Sequence, residues 1–126
     1  MAMDEQTGEG ILLRIFVGES DHVGRRPVWE ELLQRAREAG LAGATVTRGV
    51  AGFGASSVVH TTKVLRLSQD LPMVVELVDH ADAIEAFRPI VEELVTEGLV
   101  TTERVGIWIY RGRPEAGADT SESDPE

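Results

Sequence analysis

At 126 residues the chain is long enough for one domain that buries roughly two thirds of its unfolded surface. It has no cysteine, which excludes disulfides, thiolate metal sites and a cysteine nucleophile. The formal net charge is −10, yet the leader 1–10 and the tail 111–126 each carry −3 and leave −4 for residues 11–110.

The first strand-like run is Ile11–Gly18, with Ile11, Leu13, Ile15 and Val17 on one face. Pro27 suits the first turn of a helix, and Val28, Leu32, Leu33 and Ala36 then keep helical spacing up to Gly40, a C′ residue. Ala44–Val50 is the second strand, followed by a long loop, 51–71, without a clean core pattern. Pro72 opens a third strand, Met73–Val78, at a position where proline is tolerated. Asp79 can cap a second helix whose apolar stripe is Ile84, Phe87, Val91, Leu94 and Val95. Pro89 removes an intrahelical bond there, so the expectation is a kink or two abutting helices. Gly98 ends the helix and Arg104–Tyr110 is the last strand.

The order βαββαβ, with two helices of similar length, predicts an α+β ferredoxin-like sandwich with both helices on one face of an antiparallel sheet. The domain spans 11–110, between a flexible leader and an acidic, disordered tail that has almost nothing to bury. If Ile11, Leu13, Ile15, Val75, Leu77, Val105, Ile107 and Ile109 face the helices, the other side carries Leu12, Arg14, Phe16, Val74, Glu76, Val78, Trp108 and Tyr110. A solvated face should be mostly polar. This one is not, which predicts a subunit interface, the alternative being an unusually apolar monomer surface.

Gly49-Val-Ala-Gly-Phe-Gly-Ala-Ser-Ser57 leaves the second strand. Glycine admits positive φ and lets a phosphate or another backbone approach closely. The run therefore reads either as an anion cradle at a bent loop base or as a bulge that closes the strand.

Gly52-Phe53-Gly54, the long loop and Glu97-Gly98-Leu99-Val100 together resemble the PII signal-transducer superfamily. Three runs narrow the resemblance to its PII-like branch, domain of unknown function (DUF) 190: Arg14-Ile-Phe-Val-Gly-Glu19, Gly52-Phe-Gly-Ala-Ser-Ser57 and Leu67-Ser-Gln-Asp-Leu-Pro72. The resemblance covers about 11–110. It implies a homotrimer that binds an adenine nucleotide (ADP, ATP or AMP) or another small anionic effector in clefts between subunits. It also implies loops that signal to a membrane transporter or channel, or to an enzyme. Carried over by motif, Gly52, Phe53 and Gly54 fall at the loop base, where backbone amides face phosphates. Ser56 stands where relatives carry a glutamine that assists metal and phosphate binding, which leaves magnesium open. Thr101-Thr102-Glu103-Arg104 replaces a glycine-rich turn ending in a phosphate-binding lysine. Arg104 can take over from that lysine through bidentate bonds, with Arg111 and Arg113 behind it. The missing glycines and Glu103 point away from a triphosphate.

Other residues carry less. Arg25 and Arg26 before the first helix form either an anion site or solvated loop charges. His22, His60 and His80 lack partners at metal-ligand spacing, so no metal site is expected. Asp79 and Asp82 suit capping and first-turn roles, and Glu92 and Glu93 suit an exposed helix face. No serine sits in a nucleophile elbow and no general-base pair is identifiable, so no catalytic residue is assigned. No basic face with aromatic platforms supports nucleic-acid binding. No apolar run approaches the roughly eighteen residues of a membrane span, and no export signal precedes the core, so a soluble, cytoplasmic protein is expected.

Three classes of function are thus defined. The first is a non-enzymatic sensor of a small anion. The second is a protein-docking module with a vestigial cleft, and the third is a slow nucleotide hydrolase.

Overall fold

The structure, a computed structural model, describes residues 8–53 and 70–113. The expected leader up to residue 7, most of the long loop, and the tail from 114 lie outside the described residues, as do Gly54, Ser56 and His60.

Chain order is β1 (Gly8–Gly18), β2 (His22–Val23), β3 (Arg26–Pro27), α1 (Val28–Ala39), β4 (Gly43–Arg48), β5 (Pro72–Asp79), α2 (Ala81–Leu94) and β6 (Leu99–Ile107). The main sheet runs β4-β5-β1-β6, and every neighbouring pair is antiparallel. This is the ferredoxin-like arrangement that the order of elements predicts. The β2–β3 hairpin is an addition, too short to leave a periodic signal.

β1 and β5 occupy the centre and alternate strictly. Leu13, Ile15 and Val17 of β1 and Met73, Val75 and Leu77 of β5 are buried beneath the helices. α1 adds Val28, Leu32 and Ala36, and α2 adds Ile84, Phe87, Val91 and Leu94. Phe87, Ile15, Leu32, Leu77 and Val75 are the largest fully buried side chains, so the core sits where both helices cross the two central strands. The apolar stripe expected of α2 is met in these four residues.

α1 ends as its sequence implies. Gly40 adopts φ 76°, and the amides of Gly40 and Leu41 return to the carbonyls of Arg37 and Ala36. α2 is a single helix across Pro89. Pro89 is exposed, so the carbonyl that loses its amide partner, on Glu85, is on the side that water reaches.

The last strand departs from expectation. It begins at Leu99 rather than Arg104 and ends at Ile107 rather than Tyr110. β1 also starts earlier, at Gly8, because Gly8, Glu9 and Gly10 pair with Ile107, Gly106 and Val105. That register corrects the two faces. Val105 and Ile107 lie with Leu12, Arg14 and Phe16 on the face away from the helices, whereas Ile109, Trp108 and Tyr110 lie beyond the strand. Period-2 alternation identifies one face of a strand against the other, but only pairing says which of them meets the helices.

Candidate functional site

The loop base is built at one end of the sheet, where β4 ends and β5 begins. The Gly49 amide bonds to the Pro72 carbonyl at 2.7 Å and carries the ladder one step past Arg48. Gly52 has φ 150°, and a Cβ there would lie 3.2 Å from Pro72 Cγ. Pro72 thus explains part of the glycine requirement by packing alone, as the strand-closing alternative holds. Val50 and Phe53, on either side of Gly52, are 85% and 73% exposed.

The chain re-enters at Asp70, whose φ is 48°. Its Oδ1 accepts from the Ser20 amide at 2.9 Å and the Ser20 hydroxyl at 2.8 Å. Glu19 donates its amide to the Leu71 carbonyl at 2.8 Å, and its carboxylate meets Arg48 at 3.2 Å. Arg48, immediately before the glycine run, is therefore the cation held beside the loop base. Sequence reasoning passed over it, although an arginine abutting a glycine-rich strand exit was the available signal.

The Gly18–Arg26 segment pairs several of its polar groups internally. The Asp21 carboxylate accepts from the Gly18 amide at 2.9 Å, and the His22 ring nitrogen Nδ1 lies 2.6 Å from the Ser20 carbonyl, to which it donates. Arg26 reaches Glu31 at 3.3 Å. Of Arg25 and Arg26, only Arg26 has a carboxylate partner among the described residues, and both stay exposed before α1. Among the described residues, no three His, Asp or Glu side chains gather as a metal-ligand set.

Arg104 requires a correction. Thr101, Thr102, Glu103 and Arg104 form no turn. They are strand residues of β6, paired with Arg14, Leu13, Leu12 and Ile11. The turn before β6 is Val95–Gly98, and Gly98 takes φ 154°, where a Cβ would lie 2.6 Å from the Phe16 carbonyl oxygen. Arg104 projects from an edge strand with its side chain 81% exposed, 3.9 Å from Glu9. Arg111 and Arg113 are also exposed, just past the strand.

Gly52 and Phe53 follow β4 and Arg104 lies on β6, so the two sets occupy opposite edges of the sheet. Three strand spacings, about 14 Å, separate those edges. The sets also lie toward opposite ends, since β4 finishes beside Pro72 whereas Arg104 pairs with Ile11, near the start of β1. One chain does not bring them together.

The face away from the helices is apolar around a charged centre. Leu12, Phe16, Val74 and Val78 are half-buried, and Leu99 is 48% exposed. Among them Arg14 donates to Glu76 at 2.8 Å and to Glu103 at 3.3 Å. The Glu76 hydrogen bond is the largest influence raising the Arg14 pKa above its ordinary value. Arg14 thereby neutralises one of two carboxylates in an otherwise apolar patch.

Comparison with known proteins agrees with this architecture. The family model DUF190, described as an uncharacterised ACR, matches residues 10–107. A UPF0166 protein of Aquifex aeolicus is 40% identical over 98 residues, 76% of this chain and 90% of its own length. A second from the same organism is 30% identical over 98 residues, 78% of this chain and 96% of its own. Among solved structures, CPII of Thiomonas intermedia K12, bound to ADP, AMP and acetate, aligns with a TM-score of 0.52 at 17% identity, covering 86% of this chain and 94% of that one. A PII-like signaling protein of Thermus thermophilus aligns with a TM-score of 0.52 at 14% identity, covering 85% and 95%. The ferredoxin-like sheet, the loop base at Gly52 and the match across nearly the whole described core lead to one conclusion: this chain belongs to the DUF190 family and carries the PII-like fold.

Proposed function

We propose that this protein is a trimeric, non-enzymatic regulator that senses a small anionic effector, with ADP or AMP as the leading candidates, in clefts between subunits. The chain after β4 relays occupancy to a transporter or an enzyme. The observation that carries this reading is the separation of Gly52 and Phe53 from Arg104, Arg111 and Arg113 on opposite sheet edges. Two half-sites on opposite edges become one site only when the β4 side of one copy meets the β6 side of the next. Repetition of such a head-to-tail contact closes into a ring. The apolar sheet face around Phe16 supplies surface for that assembly. The solved structure of CPII with ADP and AMP supports the class of effector through likeness of fold.

In this cleft Gly52, Phe53, Gly54 and Ser56 contribute loop-base donors, and Arg104, Arg111 and Arg113 of the adjoining copy contribute countercharge. Concentrating arginines beside glycine amides overcomes the repulsion of an acidic chain for a phosphate. Calorimetry with ADP, AMP and ATP, with and without magnesium, tests the reading. Binding should be micromolar to submillimolar and should weaken about tenfold or more in Arg104→Ala, as when a charge-assisted bond is lost. Gly54→Val should weaken it as well. Absence of binding at millimolar nucleotide would overturn the sensor.

A second reading has its own observation. Val50 and Phe53 stand exposed beside the loop base, as expected of a surface that docks a protein. That reading takes over if no nucleotide binds and Phe53→Ala abolishes partner capture.

A further inference from the structure

The loop base lies at the end of the sheet opposite the cavity that Asp79, Ile107 and Trp108 line. Three stretches distant in sequence meet there: the exit of β1 at Glu19, the exit of β4 from Arg48 to Phe53, and the entrance of β5 from Asp70 to Pro72. Their polar groups are unequally committed. Asp70, at φ 48°, accepts the amide and the hydroxyl of Ser20, and a Cβ on Gly18 would come within 2.6 Å of its Oδ1. A residue in so sparsely populated a conformation is kept there by its surroundings, so this contact is fixed. The Gly49 amide is likewise occupied by the Pro72 carbonyl. Beyond it the pattern changes. Among the described residues no backbone carbonyl accepts the amides of Val50, Ala51, Gly52 or Phe53.

Arg48 stands immediately before these amides. Its guanidinium meets the Glu19 carboxylate at 3.2 Å, with the two side chains 55% and 36% exposed. An ion pair this exposed contributes little, because water solvates each partner nearly as well. A guanidinium also has more N–H donors than one carboxylate can engage. Phosphate is the stronger partner, since it carries more charge and takes the guanidinium fork in a bidentate way. Arg14 differs, being held on the sheet face by Glu76 at 2.8 Å and Glu103 at 3.3 Å together. The backbone amide of Glu19 is bonded separately to the Leu71 carbonyl at 2.8 Å. Its carboxylate can therefore leave Arg48 without dismantling the corner.

We propose that Arg48 is a further binding residue for the phosphate of the effector, and that Glu19 is its built-in competitor. Without effector the Glu19 carboxylate occupies the guanidinium. With effector, Arg48 exchanges that carboxylate for a phosphate held at the amides of Gly52 and Phe53. Glu19 thereby sets the affinity of the loop base, and by linkage the effector weakens the Glu19–Arg48 contact by the same factor. The inference rests on the reading of the loop base as an anion site, and it adds a cation from the same copy to those of the adjoining one.

The test is a double-mutant cycle on the full chain, read by calorimetric titration with ADP. Glu19→Gln keeps the size of the side chain and removes the competing charge. It should tighten ADP binding about two- to fivefold, the range of an exposed ion pair. Arg48→Gln should weaken binding about tenfold or more, as when a charge-assisted bond is lost. In the Arg48→Gln background, Glu19→Gln should leave ADP binding unchanged, because the competition is for Arg48 alone. Circular dichroism of all three variants should match the parent. A gain from Glu19→Gln that persists in full without Arg48 overturns the proposal, since it would reflect only the net charge of an acidic chain. Binding that Glu19→Gln weakens or leaves unmoved in the parent background overturns it as well. ADP binding indifferent to Arg48→Gln sinks this inference alone and leaves the sensor intact. A parent that binds no ADP at millimolar concentration overturns the sensor, and this inference with it.

Discussion

Asp79 closes β5, and its residue is only 8% exposed. Its two oxygens hold the amides of Ala42 and His80 at 2.9 and 2.6 Å, which ties the entrance of β4 and the start of α2 to one point of the sheet. A hydrogen bond to a charged acceptor contributes about 1.5–3 kcal/mol, and a buried donor left without a partner costs about 1–3 kcal/mol. Asp79→Ala removes both bonds, but the neighbouring cavity lets water reach part of the vacated space. The expected loss is therefore about 3–4 kcal/mol, toward the lower end of two such bonds. Asp79→Asn keeps one oxygen acceptor and turns an NH₂ group toward the other amide, so about half that loss is expected. Urea denaturation at fixed protein concentration, followed by far-UV circular dichroism, measures both variants, because assembly makes stability concentration-dependent. The slope should be unchanged while the midpoint falls. A loss below about 1 kcal/mol for Asp79→Ala would refute the clamp. Equal losses for Ala and Asn would show that the amide bond that Asn keeps contributes nothing.

Two further outcomes follow from the same geometry. Gly98→Ala should cost about 1–3 kcal/mol, because φ 154° is unfavourable for alanine and the new Cβ would sit 2.6 Å from the Phe16 carbonyl oxygen; a thermal melt within a degree of the parent would contradict it. Phe16→Glu places an unpaired charge on the apolar sheet face, so light scattering should move from three times the 13.7 kDa chain mass toward the monomer; a monomeric parent at micromolar concentration would remove the proposed ring.

Local chemistry alone determined much of this fold. The alternation of Leu13, Ile15 and Val17, the stripe of Ile84, Phe87, Val91 and Leu94, and the stop at Gly40 are each set by neighbours a few residues away. Their order then leaves few arrangements for one antiparallel sheet under two helices. The three motif runs also sufficed to identify the family, since a match of that kind depends on residue identity and order. The register of β6 was not legible, because an exposed edge strand reads Thr-Thr-Glu-Arg like a turn, and only its pairing with Leu13 and Arg14 makes it a strand. Arg104 consequently moved from the expected start of the last strand to its middle. The clamp at Asp79, the Asp70–Ser20 contact and the cavity below Trp108 unite residues distant in sequence. Their existence depends on which backbones the sheet brings side by side, and only the tertiary structure decides that.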